Sequence, residues 1–498
     1  MTAPDVDTAP DAMWRARRTT AYAMFALVVL VAFESFAVTT VMPQVADLLG
    51  GRELYAFAFA GPLATGAVGM VVAGAWADRR GPAAPFATGV ALFVTGLVVA
   101  GAAQSMPVLV AGRLAQGLGG GVVNVTLLVA VARAYPPVLH PRVFAWFSTA
   151  WVLPSIVGPS LAGLVAELAG WRWVFLGVAV LVLPATVPLL ATVRRLGRAE
   201  ADGTAPAAAA PTPAAPSDAG TDDPGDAARR VGWAVLVAVA ILALNVAATL
   251  PVPWSPVVAV GAAVVAVAAA RPLLPVGALR VRHGLPSVIS TRGLLSGAFF
   301  GAQVYVPYLL VDRDGWGATA SGLGLSTAAL AWSASSVVQG RLGSRLRSRT
   351  AVRTGATLLV VGVAGAALAT ALDLPAGVVV AVWTASGAGM GLASSRLNVL
   401  LLGWSAPQDQ GRNSAANSIA DSVGAALALA LTGVVFVAAG GDGPYGGPGP
   451  FVGAFALTAA LAVAALLVAP RVGVPRTERQ DVEPDPSSGS ARASAAAT

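Results

Sequence analysis

Apolar runs of about 20 residues recur along almost the whole chain, each long enough to cross a hydrocarbon core of roughly 30 Å as an α-helix. They lack the strict two-residue alternation of a membrane barrel. Of the 498 residues, 56% are hydrophobic and 11% charged, against about 25% charged in soluble domains. The expected fold class is therefore an all-α polytopic membrane protein.

Fourteen spans are expected, at about 21–43, 53–77, 84–104, 107–134, 141–167, 172–193, 231–250, 254–270, 286–311, 318–341, 351–371, 375–402, 413–438 and 451–469. The first run is too long for a cleavable signal peptide and reads as a retained helix. The layout is six, two, six. A cytoplasmic tail (1–20) precedes a six-helix bundle (21–193). A disordered linker (194–230), rich in Ala, Pro and Asp at its centre, leads to an accessory hairpin (231–270). A cytoplasmic connector (271–285), a second six-helix bundle (286–470) and a disordered tail (471–498) complete the chain.

Arginine placement orients these spans. With the N-terminus inside, only Arg52, Arg172 and Arg313 fall outside, and Arg113 and Arg396 fall within spans. The other arginines lie on or near the inner side, which assigns both termini to the cytoplasm. The net charge of +7 then reflects topology and contact with anionic lipid, not nucleic acid.

The composition also excludes chemistries. Without cysteine there is no disulfide, thiolate metal site or cysteine nucleophile. The two histidines, His140 and His283, fall in expected loops and suggest no metal cluster. With no lysine there is no phosphate-binding loop ending in Lys-Ser or Lys-Thr. No nucleophile–base set is visible. An enzyme is not expected, nor a metal or cofactor, and work by this chain would draw on an ion gradient or a partner.

Glu34 breaks the first span. An ionisable residue this deep is a functional candidate in need of a partner. It lies nine residues before Pro43 at the outer end, roughly 13 Å down. Arg113 lies roughly 9 Å into the fourth span from the same face. A charge pair, direct or through water, would keep both there, and a change in either burial or pairing would bind or release a proton. In RLAQGLGGGVVN, Arg113, Gln116, Gly117, Gly120 and Asn124 share one helical face. This stripe suggests a water-lined cavity; close packing through glycine is the competing reading.

In the loop GAWADRRG, Gly74 would let two helix ends approach, and Asp78 would cap backbone amides or meet an arginine. Its counterpart GRLGSRLRSR, at 340–349, hints at an internal repeat. In the fifth span, Pro154 and Pro159 should kink the helix. Arg396 and Asp421 lie at similar depths on adjacent spans and form a candidate cytoplasmic latch, with Asn413 and Asn417 nearby. Gln303, Tyr305, Ser336, Gln339 and Trp383 are further cavity candidates.

Together these residues resemble the major facilitator superfamily, and within it the fourteen-helix drug:proton antiporters. GAWADRRG is similar to the family's loop between the second and third helices, with Gly74, Ala77, Asp78, Arg79 and Gly81 matching; Trp76, Pro82 and Ala83 depart from it. RLAQG resembles the fourth-helix motif at Arg113, Gln116 and Gly117, and the family arginine implies a role in proton coupling. Gly158, Pro159 and Gly163 resemble the antiporter motif of the fifth helix, where Pro154 and Ala162 replace glycine. WRWVF resembles the opening of the sixth helix, and Glu34 stands where the family often has Asp. The resemblance implies two six-helix bundles alternating access, a small-molecule substrate exchanged for protons, and a monomer among membrane lipids. Nutrient symport, export of a lipid or endogenous metabolite, and a non-transporting scaffold or sensor remain open.

Overall fold

The computed structural model describes residues 8–135, 140–201, 224–247, 250, 254–342, 346–405, 410–441 and 447–473. The helices are α1 Thr8–Leu48, α2 Phe57–Arg80, α3 Ala83–Gly101, α4 Met106–Ala134, α5 His140–Ala169, α6 Arg172–Ala201, α7 Pro224–Ala247 and α8 Trp254–Ala270. They continue with α9 Leu285–Gln303, α10 Tyr305–Asp312, α11 Ala318–Leu342, α12 Ser348–Ala371, α13 Ala376–Trp404, α14 Gln410–Ala438 and α15 Gly449–Val468.

Fourteen crossings result, because α9 and α10 form one interrupted span, Leu285–Asp312. The break at Val304 has a local cause. Pro307 has no N–H, so the carbonyl four residues back, on Gln303, loses its helical partner. By length and hydropathy, 13 segments among the described residues qualify as spans. The fourteenth, α11, is rich in Ser, Thr and Gly. It packs between α5 and α13, so its polar groups meet protein rather than lipid.

The first six helices form one bundle and α9 to α15 the other. In the first, α4 lies against α2 and α3, and α1 against α5 and α6. In the second, α13 lies against α11 and α12, and α9 against α14 and α15. Glycine sets the α2–α4 spacing: a Cβ on Gly121 would fall 2.0 Å from the Gly66 carbonyl oxygen. The bundles meet through α5 with α11, α2 with α14, and α1 with α10. The accessory α7 packs on both α2 and α14, with α8 against it.

Several boundaries differ from the sequence reading. Apolarity marks where hydrocarbon ends, not where the helix ends. So α1 begins at Thr8, α6 runs to Ala201 and α7 starts at Pro224, inside the stretches assigned to the tail and linker. Pro224 suits a first helical position because its missing N–H is unneeded there. The connector is ordered: Ser290 Oγ donates to the Ala278 carbonyl at 2.6 Å. Arg471 and Val472, assigned to the disordered tail, are fastened. The Arg471 carbonyl accepts from Ser287 Oγ at 2.8 Å, and that of Val472 from Trp404 Nε1 at 3.2 Å. Residues 202–223 and 474–498 lie outside the described residues.

Candidate functional site

Glu34 on α1 and Arg113 on α4 meet as the depth argument expects. Arg113 Nη1 donates to Glu34 Oε1 and to Gln116 Oε1 at 2.7 Å. The pair is sealed, with Glu34 4% and Arg113 6% exposed. A third element completes it: Arg113 Nε donates to the Ala58 carbonyl of α2 at 3.1 Å. That carbonyl is available because Pro62, four residues on, has no N–H to bond it. One guanidinium thus ties α1, α2 and α4 together. Its charge is balanced by a single carboxylate, and its other contacts are neutral acceptors.

The rest of the α4 stripe divides. Gln116 is buried in the charged cluster. Asn124, three turns toward the basic loops, is exposed, with Nδ2 3.9 Å from Met70 Sδ. Gly117 is a position of close helix contact. A Cβ there would meet Pro62 Cα at 2.4 Å and Thr65 Oγ1 at 2.5 Å, so it is a packing residue and the glycine reading is corrected accordingly.

The loop motif also changes. A Cβ on Gly74 would meet nothing within 4 Å, so this glycine is not there to let helix ends approach. Gly81 ends α2 at φ 71°, a conformation that favours glycine. Asp78 and Arg79 lie in the last turns of α2, with side chains outside the described residues.

The antiporter-type motif sits between the bundles, and α5 runs unbroken through Pro154 and Pro159. A Cβ on Gly163 would fall 2.6 Å from Thr319 Cα of α11, and one on Gly322 2.6 Å from the Pro159 carbonyl oxygen. Gly158 faces Phe33 and Phe36 of α1 at ordinary contact distance. Ser326 Oγ donates to the Ile156 carbonyl at 2.9 Å, and Glu167 Oε1 accepts from the Thr319 amide at 3.1 Å.

The proposed Arg396–Asp421 latch does not form. Arg396 Nη2 donates to the Leu346 carbonyl in the loop before α12. Asp421 Oδ1 instead accepts from Arg292 Nε of α9 at 2.6 Å and from Ser296 Oγ. Similar depth could not decide between helix neighbours, and α14 packs far more on α9 than on α13. Arg292 lies well inside the span Leu285–Asp312, so it was a third intramembrane arginine that the sequence reading left at a helix end.

A second feature went unseen. At the face away from the basic loops, Tyr55 Oη donates to the Val304 carbonyl at 2.6 Å. Its ring centroid lies 4.5 Å from that of Tyr308, and Tyr305, Phe436 and Phe451 extend the cluster. Arg52 Nη2 donates to Asp312 at 2.9 Å and Nε to Asp47, lacing the first bundle to α10. The hydrogen bonds from Ser326 to Ile156 and from Thr319 to Glu167, between α5 and α11, fall in the same half. Of the cavity candidates, Tyr305 belongs to this plug, and Trp383 is buried in a stack on Phe299.

Comparisons agree with this architecture. Residues 24–399 match the Major Facilitator Superfamily. The multidrug transporter protein MdtP of Bacillus subtilis is 23% identical over 421 residues, covering 82% of this chain and 74% of that protein. The probable multidrug-efflux transporter Rv1634 of Mycobacterium tuberculosis (strain ATCC 25618 / H37Rv) is 32% identical over 148 residues, which is 30% of this chain and 31% of its own length. The xylose transporter XylE of E. coli, in a partially occluded inward-open conformation, superposes with TM-score 0.60 at 13% identity, over 90% of this chain and 96% of its own. A POT family transporter in complex with 5-aminolevulinic acid gives 0.63 at 14%, over 91% and 97%. The last two likenesses bear on the fold alone. With a match that spans most of the chain and the two-bundle architecture to go with it, this protein belongs to the Major Facilitator Superfamily of membrane transporters.

Proposed function

We propose that the protein is a proton-coupled exporter of amphipathic or hydrophobic small molecules, working by alternating access with Glu34 as the proton carrier. The observation that carries this reading is the sealed Glu34–Arg113 pair. Separating the two would leave a carboxylate in low dielectric without its counter-charge, and proton uptake removes that cost. A movement of α1 against α4 is thereby coupled to a proton. The names of the two bacterial relatives above support the export direction.

The arginine-rich face is cytoplasmic in this proposal, with both termini there, in the cell membrane. The Tyr55 plug then closes the extracellular side. The protein acts as a monomer without a cofactor, driven by the proton gradient, among anionic inner-leaflet lipids.

The test uses inside-out membrane vesicles with an imposed proton gradient, a pH-sensitive dye and a panel of lipophilic compounds. Native protein should release protons in response to substrate, and Glu34→Gln should reach the membrane yet give no response. Proton release that survives in Glu34→Gln would remove Glu34 as carrier. Proton movement in the same direction as the substrate would turn the assignment to symport.

A further inference from the structure

A second charged cluster, in the other bundle, is built differently from the Glu34–Arg113 pair. Asp421 Oδ1 receives both Arg292 Nε at 2.6 Å and Ser296 Oγ. Oδ2 receives no hydrogen bond from the described residues. The Asp421 side chain is 28% exposed, against 5% for Glu34. A half-exposed carboxylate within a span faces a bundle interior or a water-filled cavity rather than lipid. Close contact fixes its place: a Cβ on Gly424 would fall 2.3 Å from the Gly293 carbonyl oxygen, and one on Gly293 would fall 3.0 Å from that of Ala420. Since α9 and α14 touch backbone to backbone on both sides of the pair, Asp421 moves with its bundle.

One helical turn along α9 from Ser296, which holds the carboxylate, an aromatic group begins. Phe300 follows Ser296 by one turn, about 6 Å along α9 at the helical rise. The Phe299 ring packs edge-on against Phe300 at 5.4 Å and against Trp332 of α11 at 5.2 Å. Phe300 and Trp332 are half-buried, with ring surface still uncovered. Ring surface beside one oriented acceptor is the usual make-up of a small-molecule site.

We propose that Asp421 Oδ2 is a substrate anchor that accepts a hydrogen bond from an N–H or O–H group on an aromatic ligand lying against Phe300 and Trp332. Arg292 already balances the carboxylate charge, so the site selects for donor groups rather than for positive charge. Ligands that offer only acceptors to Oδ2 are disfavoured, because an ionised carboxylate has no hydrogen to donate. The inference rests on the export reading only in taking the ligand to be a lipophilic small molecule.

The test compares two dyes of equal charge, rhodamine 6G, which carries two N–H groups, and tetramethylrhodamine methyl ester, which carries none. Their equilibrium affinities for the full-length protein in nanodiscs are measured by fluorescence polarisation. Native protein should prefer rhodamine 6G by about fivefold or more, as one charge-assisted hydrogen bond would give. In Asp421→Asn the preference should fall to about twofold or less, and the double variant Arg292→Gln/Asp421→Asn, which leaves no orphaned charge, should behave alike. A preference that persists in both variants overturns the anchor, as does native protein that binds the dyes equally or binds neither. The export reading fails independently. A protein that discriminates through Asp421 but releases no protons to any lipophile keeps this site and loses coupled export.

Discussion

The two bundles each hold an arginine–carboxylate pair in the membrane, and the two pairs differ in what surrounds them. The side chains of Arg113 and Glu34 are 7% and 5% exposed, and the guanidinium also commits its N–H groups to Gln116 and to the carbonyl freed by Pro62. Arg292 and Asp421 are 15% and 28% exposed, and one carboxylate oxygen stays uncommitted. A pair closed on every side converts movement into a charge imbalance, which suits a switch. A pair with a free acceptor toward open space suits contact with a passing molecule. The same two residue types are thus separated by burial and leftover hydrogen-bonding capacity.

The contrast is broken most sharply at Arg113. Arg113→Ala would leave Glu34 sealed without a counter-charge, and stability in detergent should fall by about 3–5 kcal/mol. The double variant Glu34→Gln/Arg113→Gln should regain most of it, as read by thermal unfolding. Next comes Gly117→Val, where even a Cβ would meet the α2 backbone. A loss of about 1–3 kcal/mol is expected, whereas Gly74→Ala, with nothing near, should change little. The pair in the second bundle should be gentler: Asp421→Asn should cost about 1–2 kcal/mol, since water reaches the orphaned Arg292. A loss equal to that of Arg113→Ala would erase the distinction drawn above. At the plug, Tyr55→Phe removes one buried hydrogen bond and should cost about 1 kcal/mol. Among the ion pairs, the smallest effect is expected from Arg52→Gln. The Arg52 side chain is 18% exposed, the loss should stay below about 1 kcal/mol, and it should shrink further in high salt.

Much of this was legible in the chain. Hydropathy and arginine placement anticipate fourteen crossings, including α11, whose own hydropathy falls short of the other spans. Depth paired Glu34 with Arg113 because helix rise converts residue number into height. Height alone does not choose between lateral neighbours, so the same logic misassigned Asp421 to Arg396 when the nearer guanidinium belonged to α9. Backbone acceptors are invisible to a side-chain reading, yet Pro62 four residues after Ala58 was a sign that a carbonyl stood free. The link from Tyr55 to Val304 joins residues 249 apart in sequence and depends on how two bundles lean together. No local pattern encodes that angle. Gly117 and Gly74 look alike as letters, and only the neighbours tell a tight packing site from open space.

The seat of α7 has a mechanical consequence. It rests on α2 of one bundle and α14 of the other, so it lies across a seam that any rotation of the bundles must shear. It cannot ride with both. One of its two contacts must slip, and its buried residues mix Ala234, Ala238, Ala240 and Ala247 with the larger Val237, Ile241 and Leu244. The opposite seam, between α5 and α11, has no such helix laid over it among the described residues. The molecule therefore has one seam with a helix laid across it and, opposite, one held only by the direct seating of α5 on α11.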